Sequence, residues 1–256
     1  YFKVQVGQPI IQKDRERSKL NIIIPISEGF EYKVGEIEIR GGEDVIPPEE
    51  LRSEFKLFTG DTFNRSLMFV DVGAIKDAFA ARGYAFADVL PSTSADDEKK
   101  VVKFLYEIKK GRRVYIGRVT ISGNTRTREN VIRREVRVTE GALYDSKGIT
   151  KTRRLLTRTG YFKTVKVDEK RRAGSNNILD INIKVDEQRT GAIGAGVGFN
   201  NQEGATFTAS IRENNLFGRG YRALFAGSIS SEVQRLTASF TDPNFQDRAF
   251  SIGADI

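Results

Sequence analysis

One stretch of this chain, Arg112 to Arg189, constrains the fold most, because it occurs more than once. It opens with Val119-Thr120-Ile121-Ser122-Gly123-Asn124, an alternating strand running into a turn. A helical pattern over Asn130–Val136 follows, then Gly141-Ala142-Leu143-Tyr144-Asp145 and a second helical pattern into Thr159-Gly160-Tyr161-Phe162-Lys163. Ile178 to Val185 closes the stretch as another alternating strand. Upstream, Gly35, Ile37, Ile39 and Gly41 stand for Gly117, Val119, Ile121 and Gly123. Leu51, Phe55, Gly60 and Phe63 stand for Ile132, Val136, Gly141 and Tyr144, and Gly83-Tyr84 for Gly160-Tyr161. Val102, Phe104, Tyr106 and Ile108 stand for Leu179, Ile181, Ile183 and Val185. Self-similarity of this kind means one supersecondary unit built repeatedly. A partial third copy opens the chain, with Tyr1-Phe2-Lys3-Val4 for Tyr161–Thr164 and Leu20, Ile22, Ile24 and Ile26 for the closing strand. On that reading the first residue falls inside a module and the chain is a fragment.

Local signals predict a β-α-α-β-β order in each unit. In the first, alternation at Val34, Ile37 and Ile39 gives a strand, and Pro47-Pro48-Glu49-Glu50 starts a short helix. Leu51 and Phe55 share one face of it. Asn64 or Ser66 caps a second helix with Phe69, Val72, Ile75 and Phe79 as its buried stripe, and Arg82-Gly83 ends it. Strands are expected near Ala85–Pro91 and Val101–Lys109, joined by a polar acidic loop. The second unit predicts helices near 127–138 and 146–158, the latter capped by Asp145, then a strand from Lys163 to Glu169 and a turn-rich loop from Arg171 to Asn177. Residues 1–29 give two strands joined by the charged tract Lys13–Lys19.

After Gln188 the helical signals stop. Ile193, Ala195, Val197 and Phe199 face one way, and Gly194, Gly196 and Gly198 the other. The same alternation recurs through Ala205–Arg212, Tyr221–Ser230, Val233–Thr241 and Phe250–Ile256. Strands of about ten residues with one apolar face are written by an outer-membrane barrel and by a soluble antiparallel sheet alike.

Charge is uneven. Residues 112–189 hold 20 Lys and Arg against 9 Asp and Glu, a surplus of 11 within a chain whose net charge is +8. A solvated basic surface accounts for this, as do an acidic partner, nucleic acid or anionic lipid head groups. The chain has no Cys and no His, which removes disulfides, thiol chemistry and the commonest acid-base and nucleophilic groups. That composition suits the periplasm as well as the cytosol. Asp96-Asp97-Glu98 runs straight into Lys99-Lys100, a poor setting for a metal. Gly194-Ala195-Gly196-Val197-Gly198 lacks the Lys-Ser/Thr and the helix of a phosphate loop, and interior glycines that weaken a strand account for it better. Neither catalysis nor a cofactor is expected.

Two sets of residues can work without covalent chemistry. The middle strand of a β-α-α-β-β unit commonly lies at a sheet edge, where Lys163, Thr164, Val165, Lys166 and Val167 would offer backbone groups to an incoming extended chain. Tyr161 and Phe162 would pack the start of that strand against the helices. The glycine-rich strand, with Gly191, Ile193, Gly194, Gly196, Val197, Gly198 and Phe199, would be the easiest to unpair.

Several motifs together are specific: Ile121-Ser122-Gly123-Asn124, Leu155 with Thr159-Gly160-Tyr161-Phe162, Glu213-Asn214-Asn215-Leu216-Phe217-Gly218-Arg219-Gly220, and Thr241-Asp242-Pro243-Asn244-Phe245. On these the chain resembles the BamA family of outer-membrane protein assembly factors, and its repeated units look like POTRA modules. The resemblance implies tandem α+β POTRA modules followed by the first antiparallel strands of a transmembrane β-barrel. It divides the chain into a module remnant at 1–29, modules at 30–111 and 112–188, and about five strands of a truncated barrel at 189–256. It implies an outer-membrane location with the modules in the periplasm. Partners would be unfolded outer-membrane β-barrel proteins, accessory lipoproteins of the assembly complex and outer-membrane lipid, but no nucleic acid. The glycine-rich strand would be the barrel's first strand and gate. An accessory lipoprotein docks on the last module in this family, which points to Arg133, Arg134, Glu135 and Arg137. The departure is length: five strands do not close a barrel, and the family's later arginine-glycine motif is missing. A secretion barrel of the same superfamily shares these motifs but usually carries two modules. An RNA-binding array would explain the basic unit, yet it needs exposed aromatics on the sheet face and leaves the hairpins unexplained.

Overall fold

The computed structural model describes residues 3–14, 19–200 and 204–256, and the chain separates into two compact units, Tyr1–Arg113 and Val114–Ile256. Tyr1-Phe2, which open the partial third copy, and residues 15–18 of the charged tract lie outside the described residues.

The first unit begins with four short strands: β1 (Gln5–Val6), β2 (Ile10–Asp14), β3 (Lys19–Ile23) and β4 (Ile26–Ser27). β1 pairs with β4 and β2 with β3, both antiparallel. A module follows with β5 (Lys33–Arg40), α1 (Pro48–Arg52), α2 (Arg65–Ala80), β6 (Asp88–Asp96) and β7 (Val101–Lys109). Its sheet order is β5-β7-β6, so the closing strand sits in the centre, parallel to β5 and antiparallel to β6. Ile75, Phe79, Val102 and Tyr106 are wholly buried between helix and sheet. Asn64 caps α2, its Oδ1 accepting from the N–H of Ser66 at 2.9 Å.

Two expectations for this module need correction. Phe69 is 53% exposed, and Met68 takes its place, so the stripe runs Met68, Val72, Ile75, Phe79. The second strand spans Asp88–Asp96 rather than Ala85–Pro91, and continues through Pro91. An edge strand tolerates a proline, since the missing N–H is needed by no neighbour on the open side. In the loop that follows, the Asp97 carboxylate accepts from Lys3 Nζ and from the Tyr32 hydroxyl, each at 2.6 Å.

The second unit repeats the pattern with β8 (Tyr115–Ser122), α3 (Glu129–Arg133), α4 (Ser146–Arg158), β9 (Phe162–Arg171) and β10 (Ile178–Glu187), in sheet order β8-β10-β9. Asp145 caps α4 through the N–H of Lys147. α3 is shorter than the 127–138 expected. After Arg133 the N–H groups of Glu135 and Val136 turn to i−3 carbonyls, and the Thr152 hydroxyl then accepts from the N–H of Arg137 at 2.8 Å while donating to the Gly148 carbonyl, so the helix does not resume. In the first module Asp71 does the same work, accepting from the N–H groups of Lys56 and Leu57. Burial raises the pKa of Asp71, and those two N–H groups only partly offset it.

Directly after β10 come β11 (Gly191–Asn200), β12 (Gly204–Leu216), β13 (Tyr221–Ile229), β14 (Gln234–Asp242) and β15 (Ile252–Asp255). They form one antiparallel sheet in sequence order. The register pairs Val197 with Phe207 and Phe207 with Ile229, and likewise Ile193, Ile211, Phe225 and Ala238 across four strands. Large apolar side chains thus share one face, and Ile193, Val197, Phe199, Phe207 and Leu236 are each at least 60% exposed. The opposite face carries Gly194, Gly196, Thr208, Ser210 and Ser228. No helix among the described residues is long and apolar enough to cross a membrane, which says nothing about strands.

Candidate functional site

Three places in the second unit have the geometry for work, and the first is the open edge of the module. β9 pairs only with β10 among the described residues. The other side of that sheet is closed, because β8 is covered by the 139–144 segment: Ile116 donates to the Ala142 carbonyl, Gly141 to the Ile116 carbonyl, and Val119 to the Glu140 carboxylate. Val165 and Val167 sit opposite Val185 and Ile183 and share the helix-facing side, while Lys163, Thr164 and Lys166 are exposed. Lys166 lies across from Lys184, which is paired instead with Asp168 at 3.2 Å. Charged side chains along an open edge discourage indiscriminate pairing and leave the backbone groups available. Tyr161 and Phe162 are buried at the start of this strand, with ring centroids 6.1 Å apart. Burial raises the Tyr161 pKa. With Tyr144 buried too, these rings offer no stacking surface to a base.

The second place is β11. Its N-terminal residues are joined to the module by only Gln188, Arg189 and Thr190, and its outer edge is unpaired among the described residues. Gly194, Gly196 and Gly198 leave its polar face bare, while Gly191 opens the strand opposite Glu213, and hydroxyls of β12 fill part of the space. A Cβ at Gly194 would come 2.9 Å from Ser210 Oγ, and one at Gly196 the same distance from Thr208 Oγ1. Ile193, Val197 and Phe199 project from the apolar side with 75% or more of their surface exposed.

The third place is the seam between the module and the strand turns, and sequence reasoning missed most of it. Glu187, at the end of β10, accepts from the backbone N–H of Thr125, Arg126 and Thr127 and from the Thr125 hydroxyl, at 2.6–3.1 Å. Burial alone would raise its pKa, but these donors together outweigh burial and hold the carboxyl at about 2. The loop so fixed meets the β12–β13 turn. Arg128 N–H donates to the Gly218 carbonyl at 2.9 Å, and Asn215 Nδ2 to the Thr127 hydroxyl at 2.9 Å. Gly218 has φ +68°, and a Cβ there would collide with the Arg126 carbonyl, so both the turn and the contact require glycine. The Tyr161 hydroxyl reaches the Gly220 carbonyl at 3.4 Å.

The four residues expected to dock a partner do not form one patch. Arg133 is exposed and paired with Glu129, one turn away. Arg137 is exposed, with its guanidinium on the Arg134 carbonyl at 2.6 Å and 3.8 Å from Glu135. Arg134 turns into the seam: its side chain is 11% exposed and lies 3.8 Å from Asp247. Asn130 binds the same Asp247 carboxylate at 3.0 and 3.1 Å. The cause is local. α3 ends at Arg133, so the next residues do not continue its solvent face.

With this geometry in view, comparison with known proteins settles the family. The profile of the POTRA family, described as a surface antigen variable number repeat, matches residues 32–111 and 114–188. The chain belongs to the POTRA family. Both POTRA matches fall on the two β-α-α-β-β modules, and the likeness to BamA proteins extends over the following sheet. The outer membrane protein assembly factor BamA of Neisseria meningitidis is 30% identical over 256 residues, all of this chain and 32% of that protein. The BamA of Nitratidesulfovibrio vulgaris is 33% identical, again over all of this chain and 32% of its own length. The chain therefore spans about a third of the curated relatives it matches. Among solved structures, BamA from Haemophilus ducreyi lacking POTRA domains 1–3 superposes with a TM-score of 0.78 at 27% identity, over 88% of this chain and 42% of that one. The POTRA3–5 structure of Haemophilus influenzae BamA gives 0.62 at 32% identity, over 73% and 74%.

Proposed function

We propose that this chain is the module-to-membrane part of a machine that folds and inserts β-barrel proteins into the bacterial outer membrane. On this reading the POTRA modules lie in the periplasm, preceded at residues 1–29 by the closing strands of another. β11–β15 begin a transmembrane barrel. The observation that carries the reading is the exposed apolar face of the sheet. It runs across five strands, directly after a module that buries the large apolar residues of its central strand, Leu179, Ile181, Ile183 and Val185. β11 to β14 are 10, 13, 9 and 9 residues long, against the ~9–11 a membrane strand needs. A face of that extent is stable in lipid and a liability in water.

The mechanism needs no covalent step. An unfolded substrate strand pairs with the open edge at Lys163–Val167, where backbone groups supply affinity and sequence matters little. It then passes to the edge of β11. Each new backbone hydrogen bond is strong there, because lipid offers no competing partner. Three interior glycines, Gly194, Gly196 and Gly198, keep β11 easy to unpair from whatever closes the sheet, at ~0.5–1 kcal/mol each relative to alanine. Accessory lipoproteins would meet the exposed Arg133 and Arg137 rather than Arg134.

A photoreactive side chain at Thr164 or Lys166, in intact protein supplied with an unfolded outer-membrane protein, should crosslink to that substrate. The same group at Lys151, on the exposed face of α4, should not. Equal yields at the three positions would remove the edge from the mechanism.

A further inference from the structure

A polar cavity of about 230 Å³ opens at the seam, lined among others by Arg128, Asn130, Arg134, Arg219, Asp242 and Asp247. We infer that it holds the phosphate of an anionic phospholipid head group, an inference that rests on the membrane reading above. Three guanidinium groups meet here with two carboxylates, and both carboxylates are already engaged. Asp247 accepts from the Asn130 amide at 3.0 and 3.1 Å, and Asp242 from the backbone N–H of Asn244 at 3.0 Å. Arg134 is largely covered and its Nε–H has no partner among the described residues. A buried N–H left unmet costs stability, so something is expected to meet it. Arg128 and Arg219 are exposed at the mouth, with no carboxylate partner among the described residues.

The cavity has room for a tetrahedral anion rather than a single water. Guanidinium forks match phosphate oxygens two at a time, which ammonium groups do not. Position selects the source of the phosphate. The cavity lies between the module and the turns after β12 and β14, at the module-facing end of the sheet. In a bilayer that is head-group level, and an anionic head group is drawn to such basic clusters.

The test uses intact protein in nanodiscs of phosphatidylcholine with or without phosphatidylglycerol, and counts phosphatidylglycerol retained after exchange into detergent by native mass spectrometry. One retained molecule per protein is expected. The double variant Arg128→Gln/Arg219→Gln, which changes only exposed side chains, should weaken retention about tenfold, the scale of losing charge-assisted bonds. Arg153→Gln/Arg154→Gln removes the same charge from the exposed face of α4 and should leave retention within about twofold. Equal loss in both double variants would show a diffuse basic surface and overturn the site. Displacement by excess inorganic phosphate would show a free-anion site and overturn the lipid assignment. Insertion into both nanodiscs with no retained phosphatidylglycerol would refute the cavity alone. Failure to insert into either would refute the membrane reading and this inference with it.

Discussion

The POTRA module at 114–188 and the sheet at 191–256 alternate apolar and polar residues in much the same way, yet they dispose of the apolar half oppositely. In the module Leu179, Ile181, Ile183 and Val185 are buried beneath α4. In the sheet Ile193, Val197, Phe207 and Leu236 stand outward with nothing over them among the described residues. The difference follows from the helices: 146–158 supplies Ile149, Thr152 and Leu156 as a lid for one strand set, whereas among the described residues after Gln188 the helical backbone amounts to the three-residue turn Phe245–Asp247, too short to cover the other. Period-two alternation therefore says that a strand has two unlike faces. What covers the apolar one is decided by the neighbouring sequence or by the solvent.

The comparison breaks most readily at the module core. Leu156→Ala should lower module stability by about 2–5 kcal/mol, the usual loss for a leucine with no exposed surface. Chemical denaturation followed by circular dichroism measures it. A loss under about 1 kcal/mol would mean that the module is not held by this lid.

Next come matched charges on the two faces of the sheet. Phe207→Arg places a cation on the apolar face and should cost about 2–4 kcal/mol of bilayer stability, if the site lies near mid-membrane. Its neighbour Thr208→Arg, on the other face, should cost about 1 kcal/mol or less. Folding yield into vesicles, read by gel mobility, distinguishes them. Equal losses would deny that the faces differ.

A smaller effect sharpens the join between the regions. The folded Glu187 pKa of about 2 lies below the ordinary 4.5. Its contribution is therefore full above about pH 4.5 and is lost as pH falls through the folded value. Given the partial solvent access of this carboxylate, the contribution is on the order of 2 kcal/mol. Thermal melts from neutral pH down to about 2 should show it, and Glu187→Gln should melt lower at neutral pH with a flatter acid limb. An unchanged limb would assign acid sensitivity elsewhere.

Much of this arrangement was legible in the sequence because it is local or periodic. The repeat gave both modules, Asn64 and Asp145 marked the starts of two helices, and alternation after Gln188 marked the strands. What was missed depends on contacts distant in sequence. Phe69 and Met68 are adjacent, and only the packing of α2 decides which of them turns inward. α3 gives way to tighter turns at Glu135 and Val136, and Thr152, 15 residues further on, holds the N–H of Arg137 so that the helix does not resume. Glu187 and its loop donors are some 60 residues apart and carry no shared motif. Arg134 looks like a surface residue until the turn bearing Asp247 is placed beside it.

The central claim is that the apolar face of β11–β15 meets lipid, and single cysteines test it most directly, since the chain has none of its own. Val197 and Phe207 are register partners on the apolar face, and Gly196 and Thr208 are partners on the other. With the intact protein in bilayers, cysteines at Val197 and Phe207 should resist a water-soluble maleimide, and fluorophores there should be quenched by lipid-borne nitroxide. Cysteines at Gly196 and Thr208 should label readily and escape the quencher. Equal labelling of the two pairs, or faster labelling of Val197 and Phe207, would contradict the account.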